Sequence, residues 1–233
     1  MDKPLKLIVF DCDGTLVDSQ HMILSAMTQA YGAHGLAVPG RERLLSIVGL
    51  SLIEAFTELG RGTERFPVAS LAEQYKLAFH ALRASGKHME PLYPGAADAI
   101  RALAQRGGVA LGIATGKSQR GVRLVLTHHG LLDHFITIKT ADDAPSKPDP
   151  GMVIAAMQEA GVDAANTVVV GDTVYDIAMA RAAGATAIGV TWGYHTGAAL
   201  REAGAFAVVD RFPALIPTLD RMWATHEHIR VSP

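Results

Sequence analysis

The 233-residue chain has a single cysteine, Cys12. One thiol can form neither an internal disulfide nor a cysteine-based zinc site. No apolar run approaches the ~18 residues that a membrane span needs. Charge of either sign is not in excess: 21 lysines and arginines face 23 aspartates and glutamates, a net of −2. Such a balance argues against a broad nucleic-acid footprint or a membrane-surface patch, and it carries no signature of oligomeric state. The opening Met1-Asp2-Lys3-Pro4 leads at once into a strand-like stretch, whereas a signal peptide would need a longer apolar segment and a small-residue cleavage site. Internal repeats and low-complexity tracts are missing too. A cytoplasmic globular protein is therefore expected. The chain is 49% hydrophobic and 19% charged, the proportions of a soluble protein with a core. Its length fits one large domain, or one domain carrying a smaller insert.

Leu5 to Phe10 is short, apolar and partly β-branched, which predicts a buried strand. A polar turn follows from Asp11 to Asp18. Between about Ser19 and Ser85 the apolar residues fall at helical spacing, as in Leu52-Ile53-Phe56-Leu59 and Leu71-Tyr75-Ala78-Leu82, broken by Pro39, Gly60, Gly62 and Pro67. This predicts a small unit of about four helices. Beyond Pro94 strands and helices alternate. Strands are predicted near 109–114, 135–138, 167–170, 185–190 and 206–209, with helices over 96–106, 118–129, 151–160, 174–183 and 197–203. A tail from His226 to Pro233 is expected to fray. Strands separated by helices of ten or so residues imply a parallel sheet covered on both faces. The expected fold class is α/β, a doubly wound parallel sheet, with an all-helical domain inserted after the first strand. The expected division is 1–17 with 91–233 as the core and 18–90 as the insert. The chain would cross between them near Val17–Gln20 and Lys87–Tyr93.

In such sheets ligands bind beyond the carboxyl ends of the strands. Four polar clusters lie there: Asp11-Cys12-Asp13-Gly14-Thr15, Thr115-Gly116-Lys117, Lys147-Pro148-Asp149-Pro150, and Gly171-Asp172-Thr173 with Asp176. Brought together, their carboxylates would repel unless a hard cation or a lysine offset them. Magnesium suits a sparse set of oxygens such as Asp11, Asp172 and a backbone carbonyl, because it keeps waters and takes phosphate oxygens as further ligands. A metal-bound carboxylate is a competent nucleophile toward phosphorus, which points to Asp11. Asp13, two residues on, can serve as acid and then base. Thr115 and the Gly116 amide can donate to phosphoryl oxygens, and Lys147 can hold an anion. Cys12 should point away from its neighbours by strand alternation. Trp192, Tyr194 and His195 either border this crevice or pack beside it.

The run from Asp11 to Ser19 resembles the first signature of the haloacid dehalogenase superfamily. Thr115-Gly116, Lys147-Pro148 and Gly171-Asp172-Thr173 with Asp176 resemble its second, third and fourth signatures, in order and at fitting spacing. The helical insert is similar to the cap of the subgroup that includes phosphoglycolate phosphatases. The resemblance implies a magnesium-dependent phosphatase. Asp11 would be the nucleophile, and Asp13 the acid/base, giving its backbone carbonyl to the metal. Asp172 would be a metal ligand, with Asp176 in or beside the surrounding shell. The implied substrate is a small phosphorylated metabolite, phosphoglycolate first, with Gly49, Ser51 and Lys76 as possible contacts from the cap and neither nucleic acid nor membrane as partner. A β-phosphoglucomutase-like mutase shares all four signatures, but it relies on a histidine and an arginine at places that hold Ile23 and Leu52 here. A phosphate-binding protein without turnover is a third reading. Asp13 speaks against a haloalkanoic acid dehalogenase, which lacks a carboxylate there.

Overall fold

The computed structural model describes residues 5–85 and 90–231, with side chains described through Thr225. Its first strand, β1 (Lys6–Phe10), is followed by four helices, α1 (Gln20–Ala33), α2 (Arg41–Leu45), α3 (Leu52–Leu59) and α4 (Val68–Ala84). Then come α5 (Ala96–Ala104), β2 (Val109–Thr115), α6 (Gln119–His128), β3 (Thr137–Thr140), α7 (Gly151–Ala160), β4 (Thr167–Gly171), α8 (Val174–Ala182), β5 (Thr186–Val190), α9 (Gly197–Glu202), β6 (Ala207–Val209) and α10 (Leu215–Val231).

Among the described residues six strands form one sheet in the order β3-β2-β1-β4-β5-β6, and every pairing is parallel. β1 sits between β2 and β4, so the chain winds outward in one direction through β2 and β3 and in the other through β4, β5 and β6. The strand order reverses beside β1, which is where open α/β sheets form their binding crevice. Phe10 pairs with Val170, so the residues that leave β1 and β4 emerge side by side.

Alternation along β1 explains its unbroken apolar run. Ile8 and Phe10 enter the apolar layer on one face of the sheet, while Leu7 and Val9 enter the layer on the other. A parallel strand covered on both faces has no polar side to present. Cys12 continues the alternation into the first layer and is fully buried, and burial pushes its thiol well up. A reactive thiolate is thereby disfavoured.

Helices α1–α4 gather a separate apolar cluster around Met22, Phe56, Leu71 and Phe79. Tyr31, Phe56, Tyr75 and Phe79 form a chain of ring contacts within it. Two strands of backbone lead into and out of this unit side by side. Asp18 N–H donates to Pro91 C=O at 2.8 Å, and Tyr93 N–H to Leu16 C=O at 3.0 Å. Of the expected crossing at Lys87–Tyr93, residues 87–89 lie outside the described residues.

Two expectations require correction. The third strand lies at Thr137–Thr140 rather than 135–138, because Leu132–His134 forms a turn of 3-10 helix and Phe135 packs into the core before pairing begins. The last helix, α10, had no counterpart in the sequence reading, and backbone expected to fray is helical as far as Val231. Pro217 falls within its first turn, where a missing N–H costs nothing.

Candidate active site

Asp11 leaves the end of β1, and its amide donates to Val170 C=O at 2.9 Å, which fixes it beside β4. Its side chain is 1% exposed. One carboxylate oxygen, Oδ1, accepts from Lys147 Nζ at 2.6 Å. The other, Oδ2, is buried and has no hydrogen-bond partner among the described residues. Burial pushes the Asp11 carboxyl up to about 7, with Lys147 pulling it back and Asp176 adding to the rise.

Asp172 leaves the end of β4 and is fully buried. Its Oδ1 accepts from Thr15 Oγ1 at 2.8 Å and its Oδ2 from the Tyr194 amide at 2.8 Å. Burial raises its carboxyl well above the ordinary range, and Asp11 and Asp176 raise it further. Gly14, at φ +90°, and Gly193 allow two loops to close on this carboxylate. A Cβ on either would overlap Asp172 Oδ2.

Asp176 stands in the first turn of α8. Thr173 caps that helix by accepting from the Asp176 amide, and Asp176 Oδ2 accepts in return from Thr173 N–H at 3.0 Å and Thr173 Oγ1 at 2.7 Å. This reciprocal box leaves Oδ1 to accept from Lys147 Nζ at 2.6 Å. Lys147 thus spans Asp11 and Asp176 with no solvent contact. Burial alone would lower its pKa, but the two carboxylates outweigh that and raise it, so it remains an ammonium.

Asp11, Asp172 and Asp176 offer carboxylate oxygens that all lie within 4.8 Å of one another. Three carboxylates against one ammonium leave surplus negative charge in a buried place. Such a set is costly unless a cation joins it. The unpartnered Asp11 Oδ2 and this excess of oxygen donors fit a hard divalent ion such as magnesium.

The Asp13 side chain is not part of that group. Lys117 Nζ lies 2.7 and 3.0 Å from its two oxygens and 3.0 Å from Glu90 Oε1. Glu90 Oε2 in turn accepts from Arg83 of α4. Lys117 and Arg83 both lie over the Phe79 ring. Sequence reasoning gave no role to Lys117, Glu90 or Arg83. Only the lysine carried a signal, standing beside Thr115-Gly116.

Thr115 ends β2, and its Oγ1 accepts from the Lys117 amide at 3.3 Å. Gly116 is crowded by the insert. A Cβ there would lie 2.6 Å from the carbonyl oxygens of Gly49 and Leu50. Asp11, Asp13, Thr115 and Gly116 line a cavity of about 330 Å³ whose other wall is formed by the helical unit, including Gly49, Ser51 and Lys76. Lys147 and Asp172 lie behind Asp11, off the lining. Ser51 caps α3, and its amide donates to Ser146 Oγ at 2.8 Å, tying the helical unit to the loop before Lys147. Lys76 is half-exposed and paired with Glu73 at 2.7 Å.

Trp192, Tyr194 and His195 border the site. The Trp192 indole donates to Thr15 C=O at 2.9 Å, and the Tyr194 hydroxyl lies 3.3 Å from Ser19 Oγ. His195 Nδ1 accepts from the Val174 amide at 3.1 Å, which leaves Nε2–H to donate to Ser46 C=O at 3.2 Å. Burial lowers its pKa and favours that neutral form.

Residues 8–190 match the family of haloacid dehalogenase-like hydrolases. The chain belongs to this family. It is 36% identical over 215 residues to a protein named probable phosphatase IndB from Dickeya dadantii (strain 3937), covering 90% of this chain and 91% of that one. It is 34% identical over 223 residues to a phosphoglycolate phosphatase from Agrobacterium fabrum (strain C58), covering 93% and 94%. Among solved structures, a hydrolase from Pseudomonas syringae superposes with a TM-score of 0.81 at 27% identity, covering 93% of this chain and 98% of that one. Among the described residues no helix is long and apolar enough to cross a membrane.

Proposed function

We propose that this haloacid dehalogenase-like hydrolase is a magnesium-dependent phosphatase of small phosphorylated metabolites, acting in the cytoplasm through a phosphoryl group carried on Asp11. The observation that carries this reading is the state of Asp11: one oxygen held by Lys147, the other buried without a partner, at the edge of a cavity. The names of its relatives support it, and phosphoglycolate is the first substrate they suggest.

Asp11 and Asp172 would hold the magnesium with the Asp13 backbone carbonyl, and Asp176 would contribute from beside them. When bound, the ion supplies positive charge that offsets the buried carboxylates and the charge on the transferring phosphoryl group. Asp11 attacks phosphorus, forming an Asp11–phosphorus bond as the ester bond breaks. Asp13 gives a proton to the departing alkoxide. Water then attacks the aspartyl phosphate, Asp13 takes its proton, and Asp11 is restored as inorganic phosphate leaves. Thr115 Oγ1 and the Gly116 amide would donate to phosphoryl oxygens. Lys147 orients Asp11 through their short contact and lowers the negative charge that an incoming phosphate meets.

In this reading residues 18–90 form a cap over a core of 1–17 and 91–233, and the cap excludes bulk water and macromolecular substrates. The mutase alternative asks for a histidine and an arginine where apolar Ile23 and Leu52 line the cavity. The chemistry is tested by p-nitrophenyl phosphate turnover with magnesium, with chelator and for Asp11→Asn. Turnover is expected only for the unaltered protein with magnesium, and robust activity of the variant would remove Asp11 as nucleophile.

A further inference from the structure

Resting on the phosphatase reading, we propose that the cavity takes phosphate monoesters whose organic part is uncharged and largely apolar, with the phosphate as their one anion. The wall opposite Asp11 carries Ile23, Met27, Val48, Leu52, Tyr75 and Phe79. Tyr75 and Phe79 stand ring to ring at 5.7 Å, an aromatic surface with few polar atoms. A second anion would need a cation on this wall to offset its desolvation.

The charged groups there are already matched. Lys117 and Arg83 are balanced by Asp13 and Glu90 in one network while Asp13 is ionised, and Glu90 still holds both cations when Asp13 carries its proton. Lys117, Asp13 and Glu90 have side chains 8%, 14% and 6% exposed, so the network is largely dry. Turning Lys117 or Arg83 toward a ligand would strand a buried carboxylate. Lys76 is paired with Glu73, and both side chains are more than half exposed, 52% and 67%. His80, also on the lining, is exposed. Among the described residues the wall therefore offers apolar contact and no uncommitted buried cation.

Size sets the upper limit on that organic part. A volume of about 330 Å³ is at the lower end of the range for small-molecule sites, roughly 300–1,000 Å³. An organic part of only two carbons would leave most of the apolar wall facing water. Each methylene placed against that wall in place of water adds affinity.

The test uses the full chain with magnesium and esters of primary alcohols, so that the same kind of bond breaks in each. Phosphate release is measured for phosphoglycolate, butyl phosphate, hexyl phosphate and 2-cyclohexylethyl phosphate. The expected result is kcat/KM rising along the alkyl series and exceeding that for phosphoglycolate by tenfold or more. Leu52→Arg, at a half-buried position, should shrink that preference at least tenfold, and Ile53→Arg, at an exposed position on the same lining, provides a second variant should the first fail to fold. Phosphoglycolate preferred by the unaltered protein would overturn the inference while leaving the phosphatase reading intact. Release of phosphate from no ester, p-nitrophenyl phosphate included, would defeat the phosphatase reading. The cavity is then tested by calorimetric binding of methyl-, butyl- and hexylphosphonate. Affinity should rise by up to about fourfold per buried methylene, and a flat or falling series would overturn the inference independently of turnover.

Discussion

Lys147 Nζ lies 2.6 Å from Asp11 Oδ1, and both side chains are closed off from solvent. The same ammonium reaches Asp176 at 2.6 Å, so one cation organises two carboxylates, one at the end of strand β1 and one in the first turn of helix α8. Removing one partner of a buried pair leaves an uncompensated charge, at a cost of about 3–5 kcal/mol. Lys147→Met should lose stability of that order in chelator. Magnesium should restore part of it by supplying the missing positive charge. Urea unfolding with and without the metal measures both effects.

Asp172→Asn removes negative charge from a crowded, buried group. The substituted protein should be at least as stable as the unaltered one in chelator, while its response to magnesium should collapse. A ligand at a hundred times its Kd stabilises by about 2.7 kcal/mol, so the unaltered protein should show a clear rise in Tm with magnesium. Thermal scans across a magnesium series decide the matter. An undiminished rise in the variant contradicts the role proposed for Asp172.

The metal-free protein should lose stability as pH rises from about 4 to 7. Asp11 in the unfolded chain gives up its proton near 3.8, whereas burial holds the folded group protonated up to about 7. Between those values the folded state binds more protons, so stability falls with pH. Burial displaces Asp172 in the same direction. Denaturant midpoints at pH 4.5 and 7.5 in chelator should show the fall, and Asp11→Asn should reduce it.

Gly193→Ala places a Cβ where Asp172 Oδ2 now sits. Overpacking of this kind costs about 1–3 kcal/mol. The displaced carboxylate should also bind magnesium more weakly. Loss of stability with unchanged magnesium affinity would show that the loop yields instead of Asp172.

Lys117, Glu90 and Asp13 should behave as one unit. Lys117→Met strands Asp13 and leaves Glu90 with Arg83 alone, so it should destabilise more than Lys117→Met combined with Asp13→Asn. A double-mutant cycle on unfolding should return a coupling of about 0.5–3 kcal/mol.

Much of this architecture was legible in the sequence because it rests on local rules. Leu5 to Phe10 is apolar on both faces, and that is what a central parallel strand requires. The glycines at 161 and 184 follow helices α7 and α8 at positive φ, and they mark where those helices stop. Asp11 and Asp172 were found because each follows a strand directly. Distance in sequence hid the rest. Glu90 and Lys117 are 27 residues apart, and no spacing rule joins them. The burial of Lys147 between Asp11 and Asp176 depends on α8 presenting Asp176, which no local pattern around Lys147-Pro148 announces. Helix α10 carries no clear start signal, since Pro213 precedes it in a turn of 3-10 helix and Pro217 falls within its first turn.

The central claim is that phosphorus is carried on Asp11. It is tested most directly by acid-quenching the magnesium-loaded protein during turnover of a ³²P-labelled alkyl phosphate and mapping the labelled peptide. Label is expected on the peptide bearing Asp11, lost in Asp11→Asn and discharged when turnover is allowed to finish. Sustained phosphate release with label absent from that peptide, or carried by another residue, would contradict it.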